Sequence, residues 1–190
     1  MIITILAVFL LAKAKHYKLS YFFKSWMCVP ILLTQGVLVF FQASIFCGTY
    51  RFVRYAGLIQ QAVILAFLFP IIVYKIYKPA IAGTLFVLAG SALNNFVMAK
   101  NGGRMPVFPT LSYLTGYVPR AGFDLADTVH ILGGAATRFW YLTDYIDVGY
   151  SVLSPGDLLV HMFTFIMLYF TIKEANLRSK DKAENDKSKM

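Results

Sequence analysis

The sequence is short of acid. No Asp or Glu occurs before Asp124. Five acids lie between Asp124 and Asp157, and four more follow Lys173. Charged residues of both signs make up only 14% of the 190 residues. That scarcity argues against an ordinary soluble domain, which carries about 25% charge. Cysteine is also scarce, with Cys28 and Cys47 alone. On one helix they would stand roughly 28 Å apart at 1.5 Å per residue, beyond the reach of a disulfide. Two free thiols and no disulfide framework are expected. No phosphate-binding loop, HExxH or GxSxG motif occurs. No internal repeat or low-complexity segment is visible.

What the chain has in abundance is apolar surface. The hydrophobic fraction is 58%, with a mean hydropathy of +0.64. Lipid is the solvent that accommodates it. A bilayer core needs about 20 apolar residues per helix, and five segments qualify: residues 2–12, 26–46, 55–74, 80–99 and 156–172. The first is short. Its positive charges follow the apolar run, at Lys13, Lys15, Lys18 and Lys24, the reverse of a signal peptide. The fold class predicted is therefore all-α, a polytopic membrane protein of about five transmembrane helices. Residues 1–173 form one membrane domain. Residues 174–190 form a disordered, basic cytoplasmic tail.

The net charge of +9 does not point to nucleic acid. Basic residues sit at the ends of apolar runs and do not interleave with stacking aromatics. With the N-terminus outside and the C-terminus in the cytoplasm, twelve Lys and Arg fall inside and six outside. The positive-inside rule selects that orientation in an inner membrane. Residues 100–155 then form an outer cap of loops and short helix. Residues 123–142 are predicted as an interfacial helix ending at Gly133-Gly134. Phe108, Tyr113, Tyr117, Phe123, Phe139, Trp140, Tyr141 and Tyr145 suit an aromatic belt at headgroup level.

Four sets of residues carry the possible chemistry. Asn94 and Asn95 lie inside the fourth span, where an amide must find partners; an interhelical hydrogen bond is the plain expectation. The run Asn101-Gly102-Gly103 suits a helix C-cap. It aims Arg104 at a lipid phosphate or a carboxylate, and Pro106 stiffens the exit. Ser154-Pro155-Gly156-Asp157 reads as a helix start with a capping box. His161 follows one turn later on the same face as Asp157 and is read as an interhelical hydrogen bonder. Asp144 and Asp157 come from separate elements and form a candidate aspartyl dyad. Asp124, Asp127 and His130, three apart, diverge too far for a metal site. No metal and no cofactor is expected.

The stretches NGGRMPV (101–107), TRFWYLTDYIDV (137–148) and LSPGDLLV (153–160) resemble those of an uncharacterised family of small bacterial multi-pass membrane proteins, known only as a domain of unknown function. The resemblance spans nearly the whole chain short of the tail. It implies that Asn101, Gly102, Gly103, Arg104, Met105, Pro106, Thr137, Arg138, Asp144, Gly156 and Asp157 are its distinctive positions. A weaker similarity is to the type II (lipoprotein) signal peptidases. Gly133-Gly134-Ala135, Tyr141 to Val148 and Leu153 to Asp157 run in a similar order. Thr137-Arg138 stands where the peptidase pattern has Asp-Arg. That resemblance implies an aspartyl hydrolase acting through Asp144 and Asp157.

The leading expectation is a binding or structural component of a bacterial inner membrane, and not an enzyme. An outward cluster of Arg104, Arg138, Asp144 and Asp157 would form one charge network, joined by Asn101 and His161 as binding residues. Its partners would be the bilayer, a lipid headgroup or another membrane protein, with no nucleic acid. Arg104→Ala is expected to destabilise the protein by stranding a carboxylate. An aspartyl hydrolase and a small-solute carrier are the alternatives.

Overall fold

The computed structural model describes residues 1–49, 51–52, 55–118 and 129–188. The protein is mostly helical. In chain order the elements are α1 (Ile2–Ala14), α2 (Leu19–Lys24), α3 (Cys28–Phe46), α4 (Ala56–Ala66), α5 (Leu68–Tyr74), α6 (Tyr77–Lys100), β1 (Met105–Val107), α7 (Leu111–Thr115), β2 (His130–Leu132), β3 (Ile146–Asp147), β4 (Val152–Leu153) and α8 (Pro155–Ser188). Four segments are long and apolar enough to cross a membrane: Cys28–Phe46, Gly57–Tyr74, Tyr77–Lys100 and Pro155–Asp181. Helix α1, at 13 residues, reaches about 20 Å against a hydrocarbon core of about 30 Å.

The segment Gly57–Tyr74 is two helices, not one. Pro70 lies in the first turn of α5. Lacking an N–H, it cannot bond the carbonyl of Ala66, and its ring crowds that carbonyl. Helix α4 accordingly stops at Ala66. Phe67 N–H reaches back only to Ile64 O at 3.2 Å, and Ile71 N–H restarts the ladder on Phe67 O at 3.1 Å.

The chain divides into two compact units. Unit 1 holds residues 1–35, 61–85 and 161–190, and unit 2 holds residues 36–60 and 86–160. The core of unit 1 is apolar and aromatic. Val8, Ala12, Phe22, Phe67, Met167 and Ile172 are fully or nearly fully buried. Phe67 and Phe163 meet edge-on at 5.7 Å, and Phe9 meets Phe23 edge-on at 5.9 Å, within the range where aromatic pairs attract.

Helix α8 extends well past its apolar stretch, to Ser188. Residues 174–188, predicted to be disordered, continue the helix. Ala, Glu, Lys and Arg there are good helix formers, and Glu174 precedes Arg178 by the favourable four-residue spacing. The first part of this extension is also packed, since Ala175 and Asn176 are buried. Asn176 bonds the Lys18 backbone on both sides: Lys18 N–H donates to its Oδ1 at 2.8 Å, and its Nδ2 donates to Lys18 O at 3.2 Å.

Unit 2 contains the predicted cap, and part of it is β structure. Strands β1 and β2 pair in parallel, with Met105 opposite His130 and Val107 opposite Leu132. Strands β3 and β4 pair antiparallel, with Ile146 opposite Leu153. The interfacial helix predicted to end at Gly133-Gly134 does not form in its described part, which begins at residue 129. His130–Leu132 is a strand, and a single 3-10 turn spans Trp140–Leu142. Gly133-Gly134 ends the strand, and Phe139 sits at a positive φ of 54°, which interrupts any helix through it. Phe123, Asp124 and Asp127 lie outside the described residues.

Candidate functional site

The run NGGRMPV turns a long helix into a small sheet. Gly103 N–H bonds Met98 O at 2.8 Å, and Gly102 takes φ +70°. This six-to-one bond with a left-handed residue inside it is the Schellman way to end a helix. A side chain at Gly102 would be strained there. Asn101 then ties the exit to the 137–139 segment. Its Oδ1 accepts from Arg138 N–H at 2.9 Å, and its Nδ2 donates to Arg138 O at 3.0 Å and to Val97 O at 2.9 Å.

Strand β1 is fully buried and bonded along both edges. On one edge Met105 N–H donates to Val129 O and Val107 O accepts from Gly133 N–H, each at 2.8 Å. On the other, Pro106 O accepts from Asp144 N–H at 3.1 Å, and Phe108 N–H donates to Asp144 O at 2.8 Å. Proline fits because the Asp144 edge is a single bridge that asks no N–H of residue 106. Asp144 is thereby buried, and its Oδ2 lies 3.6 Å from His130 Nε2.

Asp157 has a different setting. Helix α8 begins with the capping box predicted from SPGD. Asp157 N–H donates to Ser154 Oγ at 3.0 Å, and Ser154 N–H donates to Asp157 Oδ2 at 3.0 Å. Asn94 of α6 completes the arrangement. Its Nδ2 donates to Asp157 Oδ1 at 2.9 Å, while Ser154 Oγ donates to its Oδ1 at 2.9 Å. Both carboxylate oxygens and both ends of the Asn94 amide are therefore used. The crossing depends on two glycines. A Cβ on Gly156 would overlap Asn94 Oδ1 and press on Gly90 O at 2.8 Å, and a Cβ on Gly90 would overlap Gly156 O.

Asp147 shares the 143–148 stretch with Asp144, and its carboxylate accepts a larger set of bonds. Its Oδ2 takes N–H groups of Thr110 at 2.6 Å and Ser112 at 2.8 Å. Its Oδ1 takes Ser112 Oγ at 2.6 Å and Gly149 N–H at 2.8 Å. Burial raises its pKa, but the bonds from Ser112, Thr110 and Gly149 together outweigh burial and hold it below the ordinary carboxylate value. Asp147 thus caps α7 from outside the helix, and Ser112 is fully buried beneath it. The sequence signal was Thr110 and Ser112 at a helix start with no acid of their own.

The predicted charge network does not assemble among the described residues. Arg104 and Arg138 are exposed, and no ion pair joins either to Asp144 or Asp157. Asp144 and Asp157 likewise share no hydrogen bond. His161 is half-buried on α8 in unit 1, whereas Asp157 belongs to unit 2. Asn101 bonds the backbone of Val97 and Arg138. Among the described residues no three His, Cys, Asp or Glu side chains gather as a metal site.

The chain is similar to an uncharacterized protein of Thermotoga maritima, 37% identical over 109 residues. That similarity takes in 53% of this chain and 57% of the relative, so little more than half of the curated relative is spanned. No solved structure matches. A family model described as a family of unknown function (DUF5317) matches residues 19–169, and the chain belongs to that family.

Proposed function

We propose that the protein is a multi-pass component of a bacterial inner membrane, with the N-terminus outside and the C-terminus in the cytoplasm, and that it binds or organises other membrane constituents without catalysis. The observation that carries this reading is the outward face of the long helices. Leu33, Leu58, Ile72, Ile81, Leu85 and Leu88 are each more than 60% exposed. Large aliphatic residues at that exposure on α3, α4, α5 and α6 suit lipid contact. Phe139, Trp140, Tyr141 and Tyr145 are also exposed and suit a headgroup belt.

Direct contacts fit the grouping of segments that the charge reading assigns to each side. The segments placed in the cytoplasm by charge meet in unit 1: Lys18 with Asn176, Ser25 with Tyr74, and Arg178 with Val73. Segments placed outside meet in unit 2, where Phe46 packs on Tyr117 at 5.5 Å. Four spans alone would leave both chain ends on one side, so the outside N-terminus in this reading requires α1 as a fifth, shorter crossing. Nothing in the bonding of Asp144 or Asp157 supports the hydrolase reading, because each carboxylate is engaged by a different set of partners. No observation favours a carrier.

Cys47 is exposed and Cys28 is buried, which gives a direct test. A membrane-impermeant maleimide added to intact bacterial cells should label Cys47. Labelling only after lysis would overturn the orientation. Release of the protein from membranes by alkaline carbonate, without detergent, would overturn membrane insertion.

A further inference from the structure

Unit 1 contains a cleft of about 340 Å³ lined by Tyr21, Lys24, Ser25, Tyr74, Arg178 and Ser179, with Ala175 at its base. That volume is within the range of small-ligand sites, about 300–1,000 Å³. Two cations and four hydroxyls line it, and no carboxylate does. Such a lining presents donors and positive charge to whatever enters. Ser25 Oγ and Tyr74 OH are 3.0 Å apart, so their hydroxyls are held side by side.

Arg178 is held in place before any ligand arrives. Its Nη2 donates to Val73 O at 2.7 Å, and its guanidinium lies 4.7 Å over the Tyr74 ring. One of five donors is used by that bond, which leaves the planar fork able to meet two oxygens of one anion. Two residues before it, Asn176 is clasped to the Lys18 backbone, so the start of this part of α8 is fixed. Lys24 supplies a second, exposed point charge from the end of α2.

We propose that this cleft binds a phosphate ester, with Arg178 and Lys24 neutralising the phosphoryl oxygens and Ser25 and Tyr74 donating to them. Basic pockets between membrane helices on the cytoplasmic side suit acidic phospholipid headgroups. The lipid as source rests on the membrane reading above; recognition of phosphate itself does not.

The test uses the full chain purified in neutral detergent, with its melting temperature read on adding phosphatidylglycerol, phosphatidylcholine or inorganic phosphate. Phosphatidylglycerol should raise the melting temperature of the wild type and of Lys13→Gln, a charge control on the same basic segment. Phosphatidylcholine should raise it less. The phosphatidylglycerol increment should vanish in Arg178→Gln and in Lys24→Gln. Lys24 makes no hydrogen bond among the described residues, so the second variant keeps the fold even if the first does not. An increment from inorganic phosphate that Lys24→Gln abolishes supports the site and assigns it to a free phosphate. Equal increments in wild type and Lys24→Gln would overturn the site, as would no increment from either phosphate source. Recovery of the protein without detergent alongside a Lys24-dependent phosphate increment would leave the site standing and the membrane reading refuted.

Discussion

The two units of the molecule differ in what they bury. Unit 1 buries mainly Phe, Val, Met and Ile, with Thr164, Thr171 and Asn176 among them, and its cations line an open cleft with donors to spare. Among its described residues unit 2 buries Val97, Met105, Pro106, Val107 and Val118 alongside Ser112, Thr143, Asp144 and Ser154. Its acids are enclosed in short hydrogen-bonded sets. Asp157 and Asp147 each accept from several donors on neighbouring elements. The difference teaches where function is to be sought. A polar group whose bonds are complete holds the fold, because breaking them leaves a buried donor or acceptor unmet. A charged group with bonds to spare is available to a ligand.

The sharpest way to break this contrast is at the α6–α8 crossing. Gly156→Ala would force a methyl group into Asn94 Oδ1 and toward Gly90 O. Overpacking of this kind costs about 1–3 kcal/mol and occasionally more. A clear fall in melting temperature in detergent is expected, with loss of folded protein the extreme case. An unchanged melting temperature would mean that the helices do not cross so closely.

Asp147→Asn comes next. An amide can accept on one oxygen only, so donors from Ser112, Thr110 and Gly149 compete for it and some go unmet, at about 1–3 kcal/mol. The pH dependence gives a separate check. Because the folded pKa of Asp147 is lowered, its contribution is complete above the unfolded value of about 3.9. It is lost as pH falls through the lower, folded value. Acidification from about pH 5 to about pH 3 should therefore lower the melting temperature of the wild type more than that of Asp147→Asn. Equal acid sensitivity would remove Asp147 from the account.

The smallest effects belong to the exposed arginines. Arg104→Ala and Arg138→Ala should each change stability by about 0.5 kcal/mol or less, measured by the same melts. This reverses the expectation that Arg104 neutralises a buried carboxylate. A large loss in either variant would restore the charge network.

Much of the helical frame was legible in the sequence because lipid-length apolar runs and their basic flanks are strong signals. Ser154-Pro155-Gly156-Asp157 was legible as a capping box because its bonds are local. Asn94 was legible as an amide in search of a partner, but its partner on α8 was not, since sequence spacing says nothing of which helices cross. The sheet in unit 2 was hidden for a related reason. Strands of two or three residues carry no usable period, and β1 pairs with segments more than twenty residues away. Asp147 was visible beside Asp144 in the 143–148 stretch, but its role was not, because that depends on long-range bonds to Thr110 and Ser112. The helical extension past Lys173 was masked by its polarity, which disorder and an exposed helix share.

The most direct test of the claim that Asp157 is part of a structural lock is a partner swap with Asn94. The melting temperature in detergent would be measured for Asn94→Asp, Asp157→Asn and the double variant. The exchange preserves every bond of the set: residue 157 still accepts from Ser154 N–H, and the 94–157 bond reverses its donor. Each single variant should lose stability, and the double variant should recover most of it, a coupling that neighbouring residues in one network display. Singles without effect, or a double variant whose loss is the sum of the two, would contradict the lock.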